Sequence, residues 1–376
     1  MTGAISTWTW RAVLAAAAAG ALAAGLFAAP AGAAGPQRAA ATSAAKAAAN
    51  PNPSNPLANI TWGNYTSSID PVFNAYDKAT GNTKKLLGTI AFKPRVRWFG
   101  AWVPDNKISS ILHAYIQNVT GGKPNVLVQM AIFRLVPWEG EAAKRLPTKA
   151  EIASYKLWIN NAAQAIGSTH VAMILQPDLP IAFKVPHHSH WAQNLVAYAA
   201  RQFGKLPHTA VYIDVGAADW PTVAQAVSLL RASGQSVARG FALDATHYDS
   251  TASEIAYGSQ VVAALNRAGI RNKHFVIDTA DNGKPFTYLQ YFAKHPGGDF
   301  DNAQTCTSKT ATRCVTLGIP PTTQVGLAKW HLPARDVPLA KKNCDGFLWF
   351  GRPWLFEQAG SFVMSRALAV ARTTPF

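Results

Sequence analysis

Cysteine and acidic residues are both scarce in this chain of 376 residues, which contains three cysteines and 19 aspartates and glutamates. Two common functional motifs are also missing. No G-x-S-x-G sequence occurs, which counts against a lipase or esterase built on a serine nucleophile. No glycine-rich phosphate loop follows the first predicted strand, which counts against an open, nucleotide-binding sheet. The hydrophobic residues, 49% of the chain, are enough to bury a large core.

Positive charge is in excess, since 35 lysines and arginines give a formal net charge of +16. An exported protein of this charge can adhere to anionic cell-wall polymers or other polyanions. The basic residues form no stripe interleaved with aromatic residues, so the sequence does not predict a nucleic-acid site. A solvated cationic surface is the simpler interpretation.

The first 33 residues have the pattern of a secretory signal peptide. Arg11 precedes an apolar run over 12–29, and the sequence A-G-A at 31–33 is a small-x-small cleavage site. An uncleaved membrane anchor is the alternative, because the run is close to the length that spans a bilayer. Its residues are mostly alanine and glycine, which are weakly lipophilic. We therefore expect cleavage, secretion and no stable membrane insertion.

The cysteines fit an exported protein. Cys306 and Cys314 flank a short polar stretch, so a local disulfide that closes a surface loop is the simplest pairing. Cys344 would then remain free, although a bridge from Cys344 to either of the others stays open at this point.

Residues 34–55 are rich in alanine and proline and predict a linker, whereas 56–376 alternates strand-like and helix-like patterns. Short apolar runs predict seven strands, at Val96–Gly100, Val126–Phe133, Val171–Leu175, Ala210–Ile213, Ala238–Leu243, His274–Ile277 and Gly346–Phe350. Amphipathic stretches predict helices at 148–167, 191–203, 222–232, 251–269 and 356–371, two of them opened by capping boxes.

This alternation, without a break in composition, favours a single α/β domain with a barrel-like parallel sheet. A doubly wound open sheet is the alternative. Residues 281–338 contain no clear helical pattern, and so long a connection commonly walls the cleft of an enzyme.

Four predicted strands end on an aspartate: Asp178, Asp214, Asp244 and Asp278. Parallel strands gather their carboxyl ends at one edge of the sheet, so these acids are expected to converge in one cleft. Such an arrangement suits acid/base chemistry, most simply the hydrolysis of a bond.

Six segments in order resemble glycoside hydrolase family 6, the secreted β-1,4-glucanases and cellobiohydrolases: VLVQMAIFRLVPWEGEA, VAMILQPDLP, VYIDVGAADWP, ARGFALDATHY, KHFVIDTADNG and GFLWFGRPW. The resemblance runs from about Pro56 to the C-terminus. It implies a distorted seven-stranded α/β barrel and hydrolysis with inversion, in which the acid and base carboxyl groups leave room for a water. It implies no cofactor and no metal.

The resemblance also assigns roles. Asp178, in a motif that the family usually writes E-P-D, takes the position of the general acid. Glu139 takes the position of a second acid that raises the pKa of the first, although Glu141 is an alternative. Asp214 matches a supporting aspartate, and Trp220 matches a tryptophan on which sugar stacks. Weaker substrate-binding candidates are Trp98, Trp349, His247, Tyr248, Arg352 and Glu357.

The sequence departs from the family at several of these positions. Gln176 replaces a Glu, Phe133 a Tyr and Ala217 a His. Near the C-terminus, alignment on the tryptophan places Arg352 near the family's Lys and Glu357 near the Asp that is often proposed as the base. Alignment on the Asp-Gly pair selects Asp345 instead, and a water chain to a distant carboxylate would remove the need for either.

Structural roles compete with these assignments. Asp178 could cap the following turn, Asp214 could be a buried acid bonded to backbone amides, and Asp244 and Asp278 are expected to be structural or to line the cleft. His187, His188 and His190 lack an obvious fourth ligand and are best interpreted as solvated.

We therefore expect a secreted, monomeric β-1,4-glucan hydrolase. One alternative is a weakened member of the family that binds polysaccharide, and another is a hydrolase of a different, possibly anionic, polysaccharide.

Overall fold

The structure is a computed structural model, and it describes residues 55–376. The predicted signal peptide and the predicted linker up to residue 54 lie outside the described residues. Asn55, the last residue of that predicted linker, is buried, and its Nδ2 donates to the backbone oxygen of Asp345 at 2.6 Å.

Eight parallel strands form the sheet, and the seven predicted strands are all among them, each within two residues of its predicted bounds. The additional strand, β1, has two residues. The strands are β1 (Thr61–Trp62), β2 (Arg97–Gly100), β3 (Val126–Phe133), β4 (Val171–Leu175), β5 (Thr209–Asp214), β6 (Gly240–Leu243), β7 (His274–Asp278) and β8 (Cys344–Leu348).

The sheet runs in chain order from β3 to β8, and β1 and β2 both pair with β3. It has no switch point, which excludes the doubly wound alternative. The sheet curls so that its edges approach. The backbone nitrogen of Val96 donates to Trp349 at 2.8 Å, and the indole of Trp98 donates to the carbonyl of Phe350 at 2.7 Å. The predicted distorted barrel is confirmed.

The strands are apolar throughout because both of their faces are buried. In β3, Val128, Met130 and Ile132 pack into the core beneath the helices, whereas Leu127 and Ala131 point to a smaller core inside the curl. The strands β4 and β5 alternate in the same way, so continuous apolar runs here indicate strands rather than buried helices.

Helices connect the strands and cover the outer face of the sheet. They are α1 (Pro71–Lys78), α2 (Gly81–Ala91), α3 (Ile108–Thr120), α4 (Lys149–Ile166), α5 (Trp191–Phe203), α6 (Val223–Ala232), α7 (Thr251–Arg267), α8 (Tyr288–Lys294), α9 (Asp336–Asn343) and α10 (Met364–Thr373). The capping box predicted from Thr148 and Glu151 is present at the start of α4. At α7 the N-cap is Ser250 instead, and its side chain accepts a hydrogen bond from the backbone nitrogen of Ser253.

Two helix predictions are wrong. The C-terminal helix begins at Met364 rather than at residue 356, because Glu357 and Gln358 adopt left-handed backbone angles that interrupt it. The connection 281–338 contains α8 and reaches the start of α9, although the sequence predicts no helix there. Thr287 caps α8 through a capping box with Gln290.

The predicted local disulfide is confirmed. Cys306 and Cys314 are bonded, with their Cα atoms 4.9 Å apart. Cys344 is free and buried at the start of β8.

Candidate active site

The turn after β4 presents Asp178 at the carboxyl edge of the sheet. Gln176 and Asp178 both have left-handed backbone angles, with φ of 55° and 63°. The backbone nitrogen of Asp178 donates to Oδ1 of Asp214 at 3.1 Å. This turn leaves the Asp178 side chain partly exposed, unlike its neighbours. Such strained backbone is common where a side chain must be aimed at a substrate.

Asp214 lies fully buried at the end of β5 and is bonded on one side only. Its Oδ1 accepts from the backbone nitrogens of Asp178 and of Gly216, the latter at 3.0 Å, whereas its Oδ2 has no hydrogen-bond partner among the described residues. Burial raises its pKa well above the ordinary range for aspartate, against the effect of those backbone bonds. The two acids that the sequence predicts to be neighbours are therefore brought together.

Burial and neighbouring carboxylates raise the pKa of Asp178. Desolvation raises its pKa well above the ordinary value, and the charges of Asp214, Asp301 and Glu139 raise it further, while Arg352 opposes them. An acid that remains protonated near neutral pH can donate a proton to a leaving group.

Glu139 stands in the loop after β3, and that loop is fixed by its neighbours. Gln176 Oε1 accepts from the backbone nitrogens of Arg134 at 3.2 Å and Leu135 at 3.3 Å. The guanidinium of Arg134 also pairs with Asp105 at 3.0 Å. Gln176, which replaces an acid expected from the family, thus ties the Glu139 loop to the turn that carries Asp178.

Glu139, rather than Glu141, interacts with the site. Glu141 pairs with Arg145 at 2.8 Å on the surface. The charge of Glu139 raises the pKa of both Asp178 and Asp301. Partial desolvation raises the pKa of Glu139 itself, although its side chain remains exposed.

Arg352 is the cation at the centre of the site. Its guanidinium lies 4.1 Å from the ring centroid of Trp98, and its charge interacts with Asp278, Asp178 and Asp301. Burial lowers its pKa to about 10. The indole of Trp98 is buried beneath it, so this tryptophan supports the guanidinium on one face.

Asp278 and Asp244 accept hydrogen bonds from the surrounding protein. Asp278 accepts from the backbone nitrogens of Ala280, Phe350 and Gly351, and so fixes the turn that leads to Arg352. Asp244 accepts from the backbone of Asp249 and from Asn282. Both aspartates are fully buried.

Trp220 and His247 form an aromatic pair at this edge of the sheet. Their rings stack with centroids 5.2 Å apart and planes 16° apart. His247 Nδ1 lies 3.7 Å from Asp219 Oδ1. His247 is buried, while Trp220 is partly exposed, so Trp220 is the member of the pair that can meet a ligand.

Three other predicted substrate-binding residues are placed less favourably. Tyr248 is fully buried and donates to the carbonyl of Asp301 at 3.2 Å. Trp349 is also buried, and its indole donates to Ile319 at 2.9 Å. Their burial speaks against direct sugar contact. Glu357 is partly exposed, but its side chain bonds to Asp299, and it is not among the main influences on Asp178.

Asp345 cannot serve as the base that the alternative alignment would make it. It lies at the start of β8, at the opposite end of the barrel from Asp178. Arg239 donates to both of its oxygens, at 2.7 and 2.9 Å, and Tyr212 donates at 2.7 Å. Its carboxylate is saturated and fully buried.

Two exposed residues at this edge were not predicted from the sequence. Asp301, in the connection between β7 and β8, is one of the charges that act on Asp178. Trp102 is 60% exposed and follows β2 by two residues, at the same edge of the sheet. The position of Trp102 just beyond a strand end was a usable signal, whereas nothing in the local sequence singles out Asp301.

Within residues 55–376 no group of three or more His, Cys, Asp or Glu side chains has the arrangement of a metal site. His187, His188 and His190 lie in and beside a short turn after Pro186. None of the helices described is both long and apolar enough to cross a membrane.

Paired acids at the carboxyl edge of a curled parallel sheet, beside a tryptophan, define a protein of the glycoside hydrolase class. The family model "Glycosyl hydrolases family 6" matches residues 59–331. The chain belongs to this family.

Curated relatives agree with this assignment. The chain is 31% identical to Endoglucanase A of Cellulomonas fimi over 224 residues, which are 59% of this chain and 47% of the relative. It is 30% identical to Endoglucanase 1 of Streptomyces halstedii over 213 residues, which are 56% of this chain and 65% of the relative. The matched part thus spans about half to two thirds of the length of these relatives.

Solved structures share the fold. The endoglucanase Cel6 from Mycobacterium tuberculosis, in complex with a methyl-cellobiosyl thio-cellobioside, matches with a TM-score of 0.66 and 23% identity, over 85% of this chain and 99% of that one. A cellobiohydrolase Cel6A mutant from Humicola insolens, in complex with a cellobio-derived isofagomine, matches with a TM-score of 0.64 and 18% identity, over 85% and 98%.

Proposed function

We propose that this protein hydrolyses β-1,4-glucosidic bonds in cellulose or a related glucan, with inversion at the anomeric carbon. The observation that carries this proposal is the partly exposed carboxyl of Asp178, whose pKa is raised well above its usual range by burial and by the neighbouring acids. Membership of the family and the names of its endoglucanase relatives support the substrate class.

In the proposed reaction Asp178 protonates the glycosidic oxygen as the bond to the anomeric carbon breaks. Glu139 helps to keep the proton on Asp178 beforehand through its negative charge, and Asp214 fixes the turn by accepting a hydrogen bond from the backbone nitrogen of Asp178. Trp220 provides an apolar face for a glucose ring. Arg352 is positioned to offset the charge that remains on Asp178 after the proton has left.

The pattern at 1–33 supports secretion of the protein, and we propose that it acts outside the cell as a monomer. Its net charge of +16 also favours a second candidate, hydrolysis of an anionic polysaccharide.

Release of reducing ends from soluble barley glucan, crystalline cellulose and carboxymethyl cellulose tests the function. We expect turnover on the neutral glucans, its loss in Asp178→Ala, and α-anomeric products in the proton NMR spectrum of the first minutes of reaction. Turnover on charged polymers alone would favour the second candidate. Binding to glucan without turnover would instead identify a polysaccharide-binding member of the family.

A further inference from the structure

The long connection between β7 and β8 carries a carboxylate whose backbone is held from both sides. Phe300 is buried, with its ring centroid 4.9 Å from that of Tyr248 and 5.4 Å from that of His247. Asn302 accepts from the guanidinium of Arg366 at 3.2 Å through its side chain. Asp301 lies between them, and its carbonyl accepts from Tyr248. These contacts fix the position of the Asp301 backbone.

The Asp301 side chain is exposed, and no hydrogen bond or salt bridge within residues 55–376 engages its carboxylate oxygens. Its charge acts on Asp178 and on Arg352, and Glu139 and His247 act on it in turn. These residues come from four other segments around the same cleft. Asp178 follows β4 and Asp301 lies between β7 and β8, and the charge of Asp301 is among the main influences on the pKa of Asp178.

Most other carboxylates near the site are buried or bonded within the protein; Asp214 and Asp281 keep oxygens without a hydrogen-bond partner among the described residues but are buried, and Glu139 is exposed in the loop after β3. Asp278 and Asp244 accept backbone and side-chain hydrogen bonds inside the protein, and Glu357 bonds to Asp299. Asp345 lies at the far end of the barrel with Arg239. Asp301 is thus an exposed carboxylate from the connection between β7 and β8, and its charge acts on the proposed acid. An inverting hydrolase needs such a group across the sugar, with room for one water.

We infer that Asp301 is the general base of this enzyme. This inference rests on the proposed function. Asp301 accepts a proton from a water as the water oxygen forms its bond to the anomeric carbon. At the same time the glycosidic bond breaks, and its oxygen takes the proton of Asp178. One water is consumed, and both carboxyl groups then return to their starting states by exchange of one proton with solvent.

The local charges are consistent with Asp301 as the base and Asp178 as the acid. Desolvation by the cleft walls raises the pKa of Asp301 to about 6, so the group is ionised above that pH, whereas the pKa of Asp178 is raised well above the ordinary value for an aspartate. The charged and titratable groups that face Asp301 are His247, Asp299, Glu139, Glu357, Asp178, Arg352, Tyr248, Tyr288 and Tyr291.

Asp301→Ala and Asp301→Asn test the inference, with Asp299→Asn as a control that changes the same charge two residues away. We expect kcat to fall about 10²- to 10³-fold in both Asp301 variants. The loss should be similar on cello-oligosaccharides and on 2,4-dinitrophenyl β-cellobioside, because water must be activated whatever the leaving group. Sodium azide should restore turnover in Asp301→Ala and yield the α-cellobiosyl azide. The parent enzyme's loss of kcat/KM below about pH 6 should disappear in Asp301→Asn.

Thermal unfolding of each variant establishes that it is folded. Asp301 variants that keep kcat within about threefold of the parent overturn the inference. So does a loss confined to substrates with poor leaving groups, which would make Asp301 an aid to the acid. If Asp178→Ala abolishes turnover on glucan and Asp301→Ala does not, only the inference about Asp301 fails. A parent protein that hydrolyses no glucan would remove the proposed function as well.

Discussion

The two ends of the barrel use buried carboxylates in opposite ways. At the amino-terminal end Asp345 receives two hydrogen bonds from Arg239 and one from Tyr212, so both of its oxygens are bonded. At the carboxyl end Asp214 leaves one oxygen without a partner among the described residues, and Asp178 has neighbouring acids instead of a bidentate arginine. The same residue type is held by an arginine at one end and has a raised pKa at the other.

Left-handed backbone angles also gather at the carboxyl end of the barrel. Seven residues with left-handed angles surround the carboxyl end: Glu139, Gln176, Asp178, Asp244, Thr246, Glu357 and Gln358. Each such conformation is unfavourable for a residue with a side chain, at about 1–3 kcal/mol. Backbone strain thus lowers stability where the candidate catalytic groups are positioned, and the strands and helices beneath them offset this cost.

The largest effect is expected at the carboxyl end, in Asp178→Asn. The variant cannot donate a proton, so kcat on glucan should fall about 10³-fold. Hydrolysis of 2,4-dinitrophenyl β-cellobioside should be much less affected, because dinitrophenolate leaves without protonation. Equal losses on both substrates, measured by steady-state kinetics, would contradict the role of Asp178 as the acid.

At the other end Asp345→Ala should reduce stability rather than chemistry. It leaves Arg239 and Tyr212 without their buried acceptor, so the free energy of unfolding should fall by about 3–5 kcal/mol. Urea denaturation measures this loss, and Asp345→Asn, which preserves the shape, should lose less. The comparison breaks down if kcat per folded molecule falls as strongly as it does in Asp178→Asn.

Gln176→Ala tests how much the hydrogen bonds of the carboxyl end contribute to stability. It removes the acceptor for the backbone nitrogens of Arg134 and Leu135, and each unsatisfied buried donor should cost about 1–3 kcal/mol of unfolding free energy. Urea denaturation is again the measurement. Gln176→Glu retains an acceptor and serves as the control; if it is as unstable as Gln176→Ala, the hydrogen bonds are not the cause.

The effect expected from Asp214→Asn is a change in stability that depends on pH. Because the folded-state pKa of Asp214 is raised, its contribution to stability is full below the unfolded-state pKa and is lost as the pH rises through the folded value. The asparagine variant lacks this loss. Its unfolding free energy relative to the parent should therefore rise between about pH 4 and neutrality, by roughly 1.4 kcal/mol per pH unit at most.

Urea denaturation of Asp214→Asn and the parent at several pH values tests this. A difference that does not change with pH would mean that Asp214 is not protonated in the folded protein.

The sequence predicted the sheet well and the site only in part. Val126–Phe133 and Val171–Leu175 were recognised with their bounds because strands buried on both faces are continuously apolar. Asp178 and Asp214 were found because strand ends converge. Asp301 and the environment of Arg352 were not, since both depend on how a long connection folds back across the barrel. The late start of α10 was missed for a similar reason, because Gln358 reaches the carbonyl of Thr246, far away in sequence, and helps to fix the interrupting turn.

The seam between the first and last long strands has a consequence for heat inactivation. Val96 and Trp98 reach across it to the backbone that leads into Arg352, through one amide and one indole hydrogen bond. Because only these two hydrogen bonds within residues 55–376 are involved, the seam can open in a local fluctuation whose free energy is much lower than that of unfolding the whole sheet. Arg352 would then drift from its acids while the fold survives. On warming, catalysis should fade at a lower temperature than secondary structure, and the Val96 amide should exchange with deuterium earlier than its counterparts in the middle of the sheet.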